Sequence, residues 1–330
     1  GMPNMTRALS YFGRLTYSYD NRYSVQANFR ADAFDSSKLS KDNRWGKFFS
    51  ASAAWTFSNE AFFKDNIDPS IMSFGKLRAS WGQNGNVNVL GNYSYTSGIA
   101  TNSQWYQYGA SNLPTYGSMP NGIANPNLTW ETSEQIDFGA DFRFLNDRLT
   151  VGLDYYIKTT KDLLVPAPAM PESGVSQITL NAGEIKNSGL EVELTWKDNI
   201  GDFNYSVSAN LATLKNEVTY LDPSIERIQG AGVDGSSPET IFCNFEEGMP
   251  VWYMRGYKYK GRDAEGRALY YTKDGGETLE PGAEDMTNIG SGLPSLTYGI
   301  TLNAEYKGFD LSIFGAGAAG NDVYYGLYRT

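Results

Sequence analysis

Apolar and polar residues alternate through residues 125–164 in two long stretches separated by one tight turn. The apolar positions are Ile136, Phe138, Ala140, Phe142 and Phe144 in the first stretch and Leu149, Val151, Leu153, Tyr155 and Ile157 in the second. A period of two places each set on one face of a β-strand. Leu145, Asn146 and Asp147 close the hairpin, because Asn and Asp readily adopt the left-handed conformations of tight turns.

The length of these arms raises the question of a membrane. Each arm has about ten residues, and a tilted strand needs roughly nine to eleven to cross a bilayer. Strands of soluble proteins are usually shorter, at about five or six residues. The hairpin therefore fits either a soluble β-sandwich or part of a transmembrane barrel.

Loop lengths distinguish between the two architectures. Short turns are predicted at 20–22, 145–147, 197–202 and 307–308, and long loops at 35–47, 83–128, 160–185 and 217–250. Short and long connections alternate along the chain, so one edge of the sheet carries tight turns and the other long excursions. Outer-membrane barrels have short periplasmic turns and long extracellular loops, whereas a sandwich distributes its loop lengths over both ends.

The predicted fold is therefore all-β: an antiparallel meander that forms about half of a large transmembrane β-barrel. We count about eleven or twelve strands, against about 22 in large plugged barrels. Residues 217–295 lack one crossing in this count, and 268–272 is the candidate for it. The NEAFFKD portion of the connection 59–72 predicts a single helical turn. The turn at 145–147 is expected at the periplasmic rim, with the apolar face of the hairpin toward lipid.

Composition supports a membrane setting and excludes several functions. Only 19% of the residues are charged and 14% are aromatic, and Tyr19, Tyr23 and Trp55 near strand ends fit an interfacial girdle. The net charge of −10 argues against a nucleic-acid partner. The chain has no histidine and one cysteine, Cys243, so histidine-based catalysis, an intrachain disulfide and a cysteine zinc site are excluded.

Several stretches resemble the SusC/RagA group of TonB-dependent outer-membrane transporters of Bacteroidetes. They include DNRYSVQANFRADAF, NRWGKFFSASAAWTFSNEAFF, GKLRASWGQNGN, NAGEIKNSGLEVELTW, MRGYKYKG and LPSLTYGITLNAEYKGFDLSIFGAGAAGNDVY, together with the hairpin at 125–164. They occur in the order of the family and span nearly the whole chain. The resemblance implies a barrel in the outer membrane that imports oligosaccharides or peptides.

The resemblance also implies partners. In such a family a SusD-like surface lipoprotein acts as a lid, and the TonB complex supplies energy through an N-terminal plug. We find no plug, TonB-contacting segment or signal peptide, and the opening Gly-Met indicates a fragment boundary. Residues 1–330 are therefore expected to be a partial barrel without the plug and the terminal strands.

Candidate cargo contacts lie in the excursion at 83–128. Trp105, Tyr106, Tyr108 and Tyr116 offer flat aromatic faces next to amide side chains, which suits sugars or peptides. The alternative is that these rings pack the loop onto the barrel rim or against the lid protein.

Acidic residues on the polar strand faces, among them Asp137, Asp141, Asp154, Glu191 and Glu193, suggest a water-facing lumen rather than catalytic pairs, because they recur at period two. The acidic stretch at 273–285 lacks the regular ligand spacing of a calcium loop and predicts a solvated turn. We therefore expect no enzyme activity, no resident metal and no cofactor. Two other functions stay open from the sequence: a passive structural or adhesive barrel, and a soluble glycan-binding β-sandwich.

Overall fold

A single antiparallel sheet organises the computed structural model, which describes residues 7–34, 38–107, 114–120, 122–175, 177–232 and 241–325. The strands in chain order are β1 (Ala8–Tyr19), β2 (Tyr23–Phe34), β3 (Trp45–Trp55), β4 (Met72–Asn86), β5 (Ile99–Gln107), β6 (Pro114–Pro120), β7 (Glu131–Phe144), β8 (Leu149–Pro168), β9 (Gln177–Ile200), β10 (Phe203–Thr213), β11 (Lys215–Leu221), β12 (Ile228–Gly232), β13 (Phe242–Phe245), β14 (Tyr253–Tyr257), β15 (Tyr259–Arg262), β16 (Ala268–Tyr271), β17 (Glu277–Thr278), β18 (Met286–Gly290), β19 (Leu296–Tyr306) and β20 (Phe309–Ala319). Helical structure in these ranges consists of α1 (Ala61–Lys64) and three 3-10 turns at Phe57–Asn59, Pro171–Ser173 and Ala283–Asp285. None of these helices has the length and apolar character needed to cross a membrane.

The main sheet runs in the order β1-β2-β3-β4-β7-β8-β9-β10-β19-β20, and β11 pairs with the outer part of β9. All neighbours are antiparallel. The remaining strands form small sheets of four, three and two strands within the excursions. The predicted all-β antiparallel meander is confirmed.

Tight turns at one edge follow from residues that tolerate positive φ. Leu145, Asn146 and Asp147 have φ of 56°, 58° and 63°, so the predicted left-handed turn is confirmed and includes the leucine. Lys307 and Gly308, at 50° and 84°, form a two-residue turn with both central residues left-handed. The opposite edge carries the excursions at 87–130 and 214–295.

The predicted long loop at 160–185 is wrong. β8 and β9 have 20 and 24 residues, and their pairing continues to Pro168 opposite Gln177. The prolines are compatible with a strand because β7 stops pairing with β8 at Lys161, which leaves one edge of β8 without a ladder. Proline has no backbone N–H to donate, and at an edge without a neighbouring strand no ladder hydrogen bond is lost.

The missing crossing predicted within 217–295 is not found in the part of this segment that the structure describes, 217–232 and 241–295. β10 pairs directly with β19, so the segment between them adds no strand to the path of the wall. Its first part, β11, still pairs with the outer part of β9, and the strands of this segment that follow β11 pair outside the main sheet. The candidate at 268–272 contains β16, but this strand pairs with β15 and β17 in a small separate sheet.

Strand register joins the side chains into two continuous faces. One apolar row crosses seven strands through Tyr17, Val25, Ala53, Ala79, Phe138, Tyr155 and Leu190, each opposite the next. Another continues through Leu194, Ala209, Ile300 and Gly315. Leu15, Phe138 and Leu311 are 72%, 57% and 58% exposed on this face. An apolar surface of this extent requires a nonaqueous neighbour.

The excursions have small hydrophobic cores of their own. One cluster comprises Val165, Ala167, Ala182, Val218, Leu221, Ile225 and Phe245. A second comprises Leu39, Phe48, Val87, Leu90, Leu128 and Trp130. The connections at this edge therefore pack into an ordered layer beyond the ends of the strands.

Candidate functional site

The polar face of the sheet is the candidate functional surface, because it carries hydrogen-bonding side chains from one strand to the next. Near β1, Arg14 donates to Asn28 at 2.8 Å, and Asn28 donates to Ser50 at 2.9 Å. Near β20, Ser312 donates to Asn303 at 2.8 Å, and Asn303 donates to Ser206 at 3.3 Å. These side chains satisfy one another and also offer groups to water or to a polar solute.

An arginine bridges three strands at the centre of this face. Arg78 on β4 donates two hydrogen bonds to Asp141 on β7, at 2.8 and 3.1 Å, and one to Asp154 on β8, at 2.9 Å. Gly139 lies between Arg78 and Asp154 in the register. A Cβ at position 139 would approach the Arg78 Cζ atom to 2.7 Å and Asp154 Oδ1 to 2.4 Å. The glycine therefore provides the space through which the guanidinium reaches β8.

Sequence reasoning placed Asp141 and Asp154 on the polar face but missed their common partner. Arg78 and Asp154 are 76 positions apart in the sequence, so only the register of three strands brings them together. The single local signal was a glycine at a polar position of β7. Charge-assisted, two-pronged pairing of this kind fixes neighbouring strands and does not create a reactive group.

A recess opens on the polar face near the tight turns. Its lining includes Asp147, Arg148, Lys197, Asp198 and Glu305 from three neighbouring hairpins. Arg148 and Asp198 pair at 3.3 Å. This end of the polar face therefore presents both signs of charge and suits contact with another polar protein surface.

The excursion at 214–295 presents one aromatic residue in an unusual conformation. Trp252 has φ of 55°, its ring centroid lies 5.7 Å from that of Phe245, and the residue is 45% exposed. The adjacent Tyr253 is buried and donates to the Glu246 carboxylate. Burial, with this hydrogen bond, raises the pKa of Tyr253. The buried tyrosine thus anchors the segment that displays Trp252.

Three of the four predicted cargo-contact residues, Trp105, Tyr106 and Tyr116, fall in the hairpin of β5 and β6. Trp105 lies opposite Tyr116 in the register of this hairpin, and Tyr106 lies opposite Thr115. Tyr108 lies outside the described residues. Two of the four residues are thus direct cross-strand neighbours, and the assignment of cargo contact to the set stays a prediction.

The acidic stretch at 273–285 is organised by one carboxylate. Asp285 accepts the backbone N–H groups of Lys273 and Gly282, each at 2.9 Å. Its oxygens hold the ends of the stretch together. In the ranges the structure describes, His, Cys, Asp and Glu side chains form no group of three that could hold a metal ion.

Known proteins are similar to this chain in sequence. The family described as TonB dependent receptor-like, beta-barrel matches residues 3–327. TonB-dependent receptor SusC of Bacteroides thetaiotaomicron is 32% identical over 96% of this chain and 32% of that protein. TonB-dependent receptor P3 of Formosa agariphila is 30% identical over 97% of this chain and 32% of that protein.

Solved structures agree with the sequence comparison. The RagAB peptide importer in its closed-closed state superposes with a TM-score of 0.79 and 27% identity, over 95% of this chain and 33% of that chain. Its open-open state gives a TM-score of 0.80 and 26% identity, over 96% and 33%. The chain thus spans about a third of the length of these relatives.

The resemblance to the SusC/RagA group that the sequence motifs predicted is confirmed by these matches. The open ten-strand sheet is part of a barrel wall. Transmembrane barrels place their apolar face toward lipid. The chain belongs to the TonB-dependent receptor β-barrel family of the outer membrane.

Proposed function

We propose that this chain is a segment of the wall of a TonB-dependent importer for oligosaccharides or peptides. The continuous polar face carries the proposal, because a water-filled lumen lined by linked polar side chains lets polar solutes pass an apolar membrane. The named relatives include a receptor called SusC and a peptide importer, RagAB. The role of the chain is transport and binding, with no catalytic step.

Two partners belong to this proposal. A SusD-like surface lipoprotein would close the outer end, where the excursions form an ordered layer. A plug coupled to the TonB complex would fill the lumen, and the mixed-charge recess near Arg148 and Asp198 offers it a polar contact surface. In this arrangement residues 1–330 form one part of the barrel domain.

Cargo contact is proposed for Trp105, Tyr106, Tyr108 and Tyr116. Trp105, Tyr106 and Tyr116 belong to the β5–β6 hairpin in the excursion between β4 and β7, at the edge where cargo would enter. Aromatic faces next to amides bind sugar rings and peptide groups by stacking and hydrogen bonding.

Uptake by cells with and without the full-length receptor tests the function. Labelled oligosaccharides and peptides are supplied as separate panels, with and without a protonophore that removes the energy for TonB. The proposal predicts that one panel enters only in the presence of the receptor and only in energised cells. Receptor-dependent entry that persists after uncoupling would show a passive barrel instead.

The same assay tests the aromatic residues. Replacing Trp105 by Ala is expected to raise the cargo concentration for half-maximal uptake. Tyr259, which is 55% exposed in another part of the outer layer, provides the control substitution to Ala. Equal effects of both changes would refute the assignment of cargo contact to Trp105.

A further inference from the structure

We infer that the connection between β3 and β4, residues 56–71, lies in the periplasmic interface of the bilayer and binds phospholipid there. We call it the interface segment. It contains the 3-10 turn Phe57–Asn59 and the helix Ala61–Lys64. The other connections at this edge of the sheet are tight turns, whereas this one is long.

The interface segment folds back onto the apolar face of the sheet. Gly75 lies on the same face of β4 as Leu77, and a Cβ at position 75 would meet the Phe57 ring at 2.2 Å. The Phe57 ring also lies 6.4 Å from that of Phe142, another residue of the apolar face. Because Gly75 has no side chain, the Phe57 ring can pack against the backbone of β4 on the outer surface of the wall.

The helix continues this aromatic packing away from the sheet. Phe63 is buried and packs edge-on against Phe57 at 5.5 Å between ring centroids. Phe62 lies 6.4 Å from Trp55, at the end of β3. The helix consequently rests on the outer surface of the wall and not on its polar face.

A buried carboxylate fixes the position of the helix. Glu60 accepts hydrogen bonds from the Tyr23 hydroxyl, the Trp55 indole at 3.1 Å and the Arg22 guanidinium at 2.8 Å. These bonds, chiefly the one from Tyr23, hold the pKa of Glu60 below its usual range. The three donors come from two strands and a turn, and together they hold the segment against the sheet.

Backbone bonds tie both ends of the segment to neighbouring turns. Thr56 N–H donates to the Arg22 carbonyl at 2.7 Å in the turn between β1 and β2. At the other end, Leu145 N–H in the turn between β7 and β8 donates to the Ile71 carbonyl at 3.0 Å. The segment therefore spans the edge of four strands as one fixed piece.

Apolar side chains remain uncovered in this fixed arrangement. Phe62, Ile67 and Ile71 are 56%, 38% and 61% exposed. Lys64, Asp65 and Asp68 lie between them in the sequence and are also exposed. Large apolar groups interspersed with charges match the interfacial layer, where acyl chains and headgroups meet.

The exposed apolar side chains of the interface segment are continuous with the lipid-facing surface of the wall. Phospholipid is therefore the molecule that covers them. Phe62 contacts Trp55, which is opposite Tyr23 and Leu77 in the lipid-facing rows. The lipid that covers these rows extends without interruption to the interface segment. A plug or another lumen component would lie on the opposite face of the sheet.

Spin-label accessibility in the full-length receptor tests this inference. Nitroxide labels are attached to cysteines replacing Phe62, Lys64 and Ile300, one at a time, after the native cysteines are changed to serine, in a reconstituted bilayer. The Phe62 label should prefer collisions with oxygen over a water-soluble nickel complex, as the Ile300 label in the wall does. The Lys64 label should prefer the nickel complex. Ile71, which is 61% exposed, provides a second position if the label at Phe62 impairs folding.

Two results would overturn the inference. Nickel accessibility at Phe62 and Ile71 equal to that at Lys64 would place the segment in water. Exclusion of both reagents from Phe62 and Ile71 would show that another protein surface covers them.

Discussion

Gly139 shows how one residue without a side chain can hold three strands together. Its missing Cβ opens the path from Arg78 to Asp154, while Asp141 takes the other side of the guanidinium. Glycine in a strand interior is otherwise unfavourable because it lowers β-propensity. Its presence here is explained by the ion-paired bridge that crosses above it.

Replacing Gly139 by Ala is therefore expected to destabilise the barrel, by about 1 kcal/mol for a displaced hydrogen-bonded pair. Thermal unfolding of the full-length receptor in detergent measures the effect. Gly152→Ala is the matched control, because a Cβ there would lie 3.6 Å from the nearest atom, in ordinary contact with Glu193. A loss of stability in the control as large as in Gly139→Ala would contradict the proposed role of the bridge.

Glu60 gives a pH dependence with a defined sign. Its pKa in the folded chain is below the ordinary value near 4.5, through hydrogen bonds from Tyr23, Trp55 and Arg22. A depressed carboxylate pKa contributes stability that is complete above the unfolded pKa and is lost as pH falls through the folded value.

The stability difference between the wild type and Glu60→Gln should therefore be largest at neutral pH and should shrink below pH 4.5. Denaturant unfolding at a series of pH values measures this difference. Asp65→Asn, which changes an exposed carboxylate in the same connection, is the control and should show a smaller gap. A Glu60→Gln gap that is constant with pH would contradict the role of the charged form.

Among single residues, the turn positions could be predicted and the bridges could not. Asn146 and Asp147 predict a left-handed turn because both residue types tolerate that conformation. Arg78 and Glu60 find partners through strand register and through a connection that folds back on the sheet. The local sequence marks the Arg78 bridge only by Gly139 at a polar position, and it carries no pattern for the contacts of Glu60.

At the scale of the element, alternation predicted strands well where both neighbours are present. The hairpin of β7 and β8 has the predicted turn and the predicted apolar face. Pro166 and Pro168 interrupt the alternation, so the sequence predicts a loop over the outer parts of β8 and β9. Both are strands that pair with each other. The prolines are tolerated because β8 has no ladder partner on the side of β7 beyond Lys161, and the small core around Val165 and Ala182 stabilises the pair.

Two adjacent residues in β10 test which face meets lipid. Ala209 lies opposite Leu194 and Ile300 on the apolar face, and Ser208 lies opposite Thr195 and Thr301 on the polar face. Ala209→Arg is expected to cost about 2–4 kcal/mol, the range for a cation on the lipid face near the bilayer midplane. Ser208→Arg should cost much less, because its side chain reaches water or polar groups. Denaturant unfolding in lipid vesicles measures both variants, and a reversed order would contradict the assignment of the faces.

For the whole molecule, the order of short and long connections carried most of the information. It predicted which edge has tight turns, and the ten-strand path of the sheet agrees. The count failed at 217–295 because the small strands there resemble wall strands but pair with one another. The cores of the outer layer combine residues from distant connections, such as Leu39 and Leu128, so no local periodicity predicts them.

Family membership accounts for an open sheet with a large apolar face. The chain spans about a third of its relatives, and in a complete barrel lipid and further strands would cover the surfaces that are open here. The excursions and the polar face supply the parts that the proposed importer would use.

The central claim is that this chain is part of a barrel wall whose apolar face meets lipid. Oxygen accessibility along one wall strand tests it most directly. Spin labels are placed singly at positions 298 to 304 of β19 in the full-length receptor, reconstituted in a bilayer. Oxygen accessibility should alternate with a period of two, with maxima at Tyr298, Ile300, Leu302 and Ala304, whose apolar row faces lipid. Uniform accessibility, or maxima at Thr301 and Asn303, would contradict the assignment of this chain to a barrel wall with these faces.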